Sequence, residues 1–216
     1  AKGGAEPHPM MLAAAAACGL DALWLVGGAQ AIAALTFGAG LPKADKLFGP
    51  GNAYVAEAKR YASGLAGGPA IDLPAGPSEL LVIADGQAEP AIVAADLLSQ
   101  AEHDADAQVV LVCTSSSAIG AIWSEVERQL ATLPRQAIAR RSLDSAVVIL
   151  VASPEQAVEV ANAYAPEHLS LQVADPEPLI PLIASAGTGV VGRDAAETFG
   201  DYVAGPSHVL RTEGAA

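Results

Sequence analysis

Residues 79–113 read ELLVIADGQAEPAIVAADLLSQAEHDADAQVVLVC, and this stretch decides the fold class. Glu79–Ala84 and Gln108–Cys113 are short apolar runs that read as strands. Between them, Pro90 sits where a first helical turn tolerates proline, and the apolar pattern that follows predicts a helix over Pro90–His103. Strand, helix, strand over so short a span is the alternation that marks an α/β fold.

The same alternation continues on both sides. Downstream, the patterns predict a helix over Ser115–Leu130 and a strand over Ala146–Val151. A further helix opens at Ser153-Pro154, with Gln156 placed to complete a capping box. It ends near Tyr164, because Pro166 biases Ala165 away from helix. A strand at Leu169–Val173, a helix at Pro176–Ala184 and a last strand at Gly189–Val191 follow. Upstream, the expected elements are a helix over Pro9–Cys18 closed by Gly19, a strand at Ala22–Val26 and a helix over Gln30–Phe37. A helix capped by Asn52 then runs to about Tyr61. The Pro/Gly corner Leu73–Ser78 is the candidate domain boundary.

Composition narrows the function classes. The chain is 52% hydrophobic and 16% charged, which suits a packed core and not a disordered chain. Eleven Lys and Arg against 24 Asp and Glu give a net charge of −13. Phosphate neutralisation needs a basic surface, so nucleic acid and anionic membrane are disfavoured as partners. Cys18 and Cys113 lie in apolar stretches without CxxC spacing and read as buried free thiols of a cytoplasmic protein. Met10–Leu20 resembles a signal-peptide core but lacks its basic flank and reads as an interior helix.

Four constellations could carry chemistry. Gln100 and His103 stand three apart at a helix end, where an amide oxygen and an imidazole can converge on one ion; a solvated helix end is the plainer alternative. Asp96, one turn earlier, could support that site or lie at the surface. Glu167-His168 couples a carboxylate to the side chain that titrates nearest neutral pH, after a proline-ended helix; a solvated loop pair is the alternative. Asp201 could be a metal ligand and His208 could bind substrate, or the two could be an Asx turn and a surface histidine. Gly27-Gly28-Ala29-Gln30 and Gly49-Pro50-Gly51-Asn52 each open a helix and could admit a phosphate, although neither matches a dinucleotide or P-loop fingerprint.

The joint occurrence of six ordered blocks is far more specific than any one of these signals. VGGAQAIAAL, KLFGPGNAYVAEAKR, DLPAGPSELLVIAD, AADLLSQAEHDADAQVVLV, YAPEHLSLQV and FGDYVAGPSHVL together resemble the successive signature blocks of histidinol dehydrogenases, from about Pro9 to Leu210. The resemblance implies an α/β fold of two incomplete Rossmann-like modules with mostly parallel strands. Residues 1–77 would belong to an NAD-contacting module and 78–216 to a zinc and substrate module.

It further implies NAD-linked, zinc-dependent oxidation of L-histidinol to L-histidinal and then L-histidine, in a cytoplasmic homodimer. Gln100, His103 and Asp201 would hold zinc, and Glu167 and His168 would be the acid–base pair. Ser78, Gln100, His103, His168, Asp201 and His208 would contact substrate; Gln30 and Asn52 would contact NAD.

Departures accompany the resemblance. Arg211 stands where the family usually has Pro, and Asp104 where Gly is common. The family's fourth zinc ligand and a substrate-binding glutamate come from a C-terminal segment of the partner subunit, and its N-terminal region would precede Ala1. A fragment is therefore expected, inactive or weakly zinc-binding by itself. Two alternatives stay open: a paralogue oxidising another small polyol, and a truncated chain that only folds or dimerises.

Overall fold

The computed structural model describes residues 6–49, 51–72, 78–194 and 196–202, with residues 201 and 202 described by backbone only. The chain divides into two compact units, Ala1–Gly76 and Pro77–Ala216.

The first unit carries α1 (Pro9–Ala17), α2 (Ala29–Phe37), β1 (Lys46–Leu47), α3 (Ala53–Ser63) and β2 (Ala70–Ile71), with β1 and β2 paired in parallel. The caps explain the helix bounds. Asn52 Oδ1 accepts the Val55 N–H at 3.2 Å, and Gly38 closes α2 in the left-handed region at φ 69°. Within this unit Lys59 is buried and its ammonium reaches both the Asp72 carboxylate and the Gly49 carbonyl, the latter at 2.9 Å. The second Asp72 oxygen accepts the Gly49 N–H at 2.7 Å. Lys59 and Asp72 thus tie Gly49 to the end of β2.

The second unit is an α/β sandwich. Its elements are β3 (Glu79–Ala84), α4 (Pro90–Ala101), β4 (Gln108–Cys113), α5 (Ser116–Leu130), α6 (Gln136–Leu143), β5 (Val147–Leu150), α7 (Pro154–Tyr164), β6 (His168–Gln172), β7 (Thr188–Val191) and α8 (Phe199–Tyr202). The five strands form one parallel sheet in the order β5-β4-β3-β6-β7. Leu80, Val82, Leu111 and Cys113 bury one face of it under α4, α5 and α6. Leu81, Ile83, Val110, Leu169 and Leu171 bury the other under α7. Covering on both faces is why β3 and β4 read as unbroken apolar runs. Because all strands are parallel, Glu79 and His168 share the amino edge of the sheet, and α4, returning from β3, brings Gln100 back to that edge.

Several expectations need correcting. Ala22–Val26 is not a strand: it makes no ladder, and Leu23, Trp24, Leu25 and Val26 stand exposed. A run of β-prone residues becomes a strand only when a neighbour pairs with it. The helix expected over Pro176–Ala184 is a single 3₁₀ turn, Ile180–Leu182. Pro181 has no N–H to give an i−4 carbonyl, and Pro176 and Pro178 add to the break. α6 lies in a stretch where no element was expected. Cys18 is exposed at the end of α1, whereas Cys113 is buried and its thiol is pushed up by that burial. Among the described residues, no helix is long and apolar enough to cross a membrane.

Candidate active site

The expected site residues divide between the two units. In the first, Gln30 and Asn52 are exposed in the first turn of α2 and at the cap of α3. Gly28, at φ 74°, holds a left-handed backbone that side chains rarely adopt, and an added Cβ would fall 2.8 Å from Gln30 Oε1 unless that amide swung aside. The Gln30 amide therefore lies folded over its own turn. Gly51 is similarly constrained: a Cβ there would meet Val55 at 2.4 Å.

In the second unit the sequence HLSLQ of β6 sorts its side chains by period two. Leu169 and Leu171 enter the core beneath α7. His168, Ser170 and Gln172 point to the other face, towards α4, and all three are buried. Asp96 of α4, 3% exposed, meets this stripe. Its Oδ2 accepts from Gln172 Nε2 at 2.9 Å, and its Oδ1 accepts the Glu197 backbone N–H at 2.9 Å. Burial pushes the Asp96 carboxyl up, opposed by the bonds from Glu197, Ser170 and Gln172. Asp96 is thus an interior polar anchor, not a surface residue.

Glu167 and His168 stand at the amino end of the same strand. Ala165, just before Pro166, adopts the left-handed region at φ 54° and turns the chain sharply out of α7. Glu167 is buried, and its Oε2 accepts the Glu79 N–H at 3.3 Å. His168 Nδ1 lies 3.2 Å from the Glu79 carbonyl. A carbonyl oxygen only accepts, so Nδ1 carries the proton and Nε2 is the basic nitrogen of neutral His168. The backbone of Glu79 therefore fixes both members of the pair, which are buried and not the solvated loop of the plainer alternative.

Gln100 is buried in the last turn of α4, but the helix stops at Ala101. His103 follows on a turn whose N–H donates to the Gln100 carbonyl at 3.1 Å, and its side chain is exposed. The pair is therefore a helix residue and a residue just past the helix, rather than two positions on one helical face. Ser78 is partly exposed immediately before β3, and its carbonyl accepts the Gln108 N–H at 3.1 Å. Asp201 is placed by its backbone in α8, four residues after Glu197. Its side chain and all of His208 lie outside the described residues. Among the described residues, no group of three or more His, Cys, Asp and Glu is gathered tightly enough to hold a metal.

Sequence reasoning missed Glu197, which is buried against Ser99 and His168. Its only signal was a carboxylate just before FGDYV. It likewise missed the polar stripe, because alternating polar and apolar residues look like a strand with one wet face.

The family model for histidinol dehydrogenase matches residues 1–216. The chain belongs to the histidinol dehydrogenase family. It is 51% identical over 213 residues to histidinol dehydrogenase of Yersinia pestis, covering 97% of this chain and 48% of that protein. It is 49% identical over 213 residues to the Pseudomonas savastanoi enzyme of the same name, covering 98% and 47%. The crystal structure of histidinol dehydrogenase from Elizabethkingia anophelis superposes with a TM-score of 0.89 at 47% identity, over 95% of this chain and 47% of that one. The α/β fold with parallel strands and alternating helices is therefore that of histidinol dehydrogenases. The chain spans about half the length of these relatives.

Proposed function

We propose that this chain forms the zinc- and substrate-holding part, and some of the cofactor-contacting part, of an enzyme that oxidises L-histidinol through L-histidinal to L-histidine. The observation that carries the reading is the buried Glu167-His168 pair, oriented through one backbone unit at Glu79, at the sheet edge to which α4 returns Gln100. Membership of the family supplies the substrate.

The donors fit zinc. An amide oxygen, an imidazole and a carboxylate from Gln100, His103 and Asp201 are acceptable ligands, with room for donors from substrate and partner. The Glu197 backbone is bonded to Asp96 of α4, which draws the chain leading to Asp201 towards the helix that carries Gln100. When bound, zinc would hold and orient the amine and imidazole of the substrate, and NAD would supply the hydride acceptor.

The remaining chemistry belongs to the side chains. His168 Nε2 takes the carbinol proton in the first oxidation, while Nδ1–H stays on the Glu79 carbonyl. In the second oxidation Glu167 helps water add to the aldehyde, and His168 accepts the proton of the hydrate. Each step removes one hydride and one proton, so one histidinol yields two NADH. Ser78 and His208 contact the substrate, and Gln30 and Asn52 contact NAD. Residues 1–77 and 78–216 act as two incomplete Rossmann-like modules of a cytoplasmic homodimer whose partner completes the site.

The test is histidinol turnover by the zinc-loaded protein expressed from its complete reading frame. Two NADH per histidinol are expected, with H168N slower by about 10²–10⁴-fold, the usual contribution of general acid–base assistance. Turnover of a non-imidazole diol but not of histidinol would overturn the reading.

A further inference from the structure

His168 has a second neighbour that neither the family resemblance nor the proposed chemistry employs. Glu197 Oε1 lies 3.6 Å from His168 Nε2, with the two side chains 8% and 5% exposed. That separation is ion-pair range and too long for a hydrogen bond. A carboxylate so deeply buried is costly unless something compensates it, and an imidazole that becomes charged during turnover is a suitable compensator.

Glu197 is also held where it stands. Its backbone N–H donates to Asp96 Oδ1 at 2.9 Å, and its Oε2 lies 3.5 Å from Ser99 Oγ. Ser99 Oγ in turn donates to the Asp96 carbonyl at 2.7 Å. Asp96 is braced from the sheet by Gln172. One main-chain attachment to α4 holds Glu197 in place, with the Ser99 hydroxyl, already donating to the Asp96 carbonyl, at the edge of reach, while β6 and β3 fix the imidazole. Its neighbours are thus a carbonyl on one ring nitrogen and a carboxylate near the other, an arrangement that orients the ring and favours its charged form.

We propose that Glu197 is a positioning residue for His168. Its carboxylate, on a residue whose main chain is anchored to α4 through Asp96, keeps the imidazole against the Glu79 carbonyl and stabilises the imidazolium formed when the alcohol proton arrives at Nε2. No atom is transferred to Glu197: the proton stays on His168 until it is released to solvent. The proposal rests on the reading that His168 is the proton acceptor.

The experiment compares E197Q, E197D and H168N in the zinc-loaded protein from the complete reading frame. Zinc content, melting temperature and the ¹⁵N resonances of His168, assigned by their loss in H168N, are measured alongside kinetics. E197Q is expected to keep its zinc and fold, leave KM for histidinol within about threefold, and lower kcat about 10²-fold, the low end of general acid–base contributions. E197D, which keeps the charge, is expected to recover part of kcat, and the His168 Nε2 resonance is expected to move in E197Q. E197Q with kcat within twofold of wild type, while H168N is disabled, would overturn the role of Glu197 alone. So would a loss of kcat that merely follows lost zinc or lost fold. H168N with wild-type kcat would instead overturn the reading beneath it.

Discussion

The starts of α3 and α7 are built alike. Asn52 Oδ1 accepts the N–H of Val55 at 3.2 Å, and Ser153 Oγ accepts that of Gln156 at 3.4 Å. Behind the caps the two helices differ. α7 lays Ala157, Val158 and Ala161 on Leu169 and Leu171 of a sheet covered on both faces. α3 buries Ala56, Lys59 and Ala62, so one of its three inward residues is an ion-paired lysine, and Tyr54 and Tyr61 stand exposed. Capping is local chemistry and forms equally well in both units. A deep apolar core requires strands that pair over several residues, and among the described residues only the second unit has them.

Substitutions can break this contrast. The largest effect is expected at Leu81, fully buried at the centre of β3: Leu81→Ala should cost about 3–4 kcal/mol by lost burial and a residual cavity. Leu25→Ala, at an exposed position of the first unit, should cost less than about 0.5 kcal/mol. Urea unfolding followed by circular dichroism measures both, and equal losses would erase the distinction between the units.

Lys59→Met comes next, at about 2 kcal/mol. It removes the ammonium that faces the Asp72 carboxylate, and the partial exposure of Asp72 keeps the loss below that of a fully buried pair. Faster amide exchange confined to α3 and Gly49 is the expected signature. Asn52→Ala and Ser153→Ala should each cost about 1 kcal/mol, since each removes one cap. Similar values in the two units would sharpen the point that caps act locally, and a Ser153 effect several times larger would contradict it.

The smallest effect concerns pH. The Asp96 carboxyl is raised by burial, so folding favours its protonated form. Its stabilising contribution is full below the unfolded carboxylate range and is lost as pH rises through the folded value. Asp96→Asn should flatten that component, with a change of slope no greater than a single proton's, measured by denaturation between pH 4 and 7. An unchanged slope would show that Asp96 titrates as it does in the unfolded chain.

Much of the second unit was legible because its signals are local or periodic. β3 and β4 have the bounds read from their apolar runs, and the Ser153 cap and the Ala165 break stand where the sequence put them. Elsewhere the deciding interaction is not local. Trp24 and its neighbours have strand propensity but pair with no strand among the described residues, and Pro181 overrides a helical pattern. α6 is only eight residues long and polar on average, with Arg140 and Arg141 in its last turn, so the few apolar residues it buries did not mark it as an element. At the site, Glu167-His168 was readable as a chemical pair but not as a buried one, because the burial comes from β3 beside β6 and from the α4 and Glu197 side of the sheet, all distant along the chain. Glu197 was invisible, since its role depends on a bond to Asp96 about a hundred residues away along the chain.

The most direct measurement is anomalous scattering at the zinc edge from crystals of the protein expressed from its complete reading frame, grown with zinc and histidinol. The account expects one strong peak about 2.0–2.2 Å from a His103 ring nitrogen, the Gln100 amide oxygen and an Asp201 carboxylate oxygen, with the carbinol facing His168 Nε2. A peak ligated elsewhere, or histidinol bound with its carbinol turned away from Glu167 and His168, would contradict it.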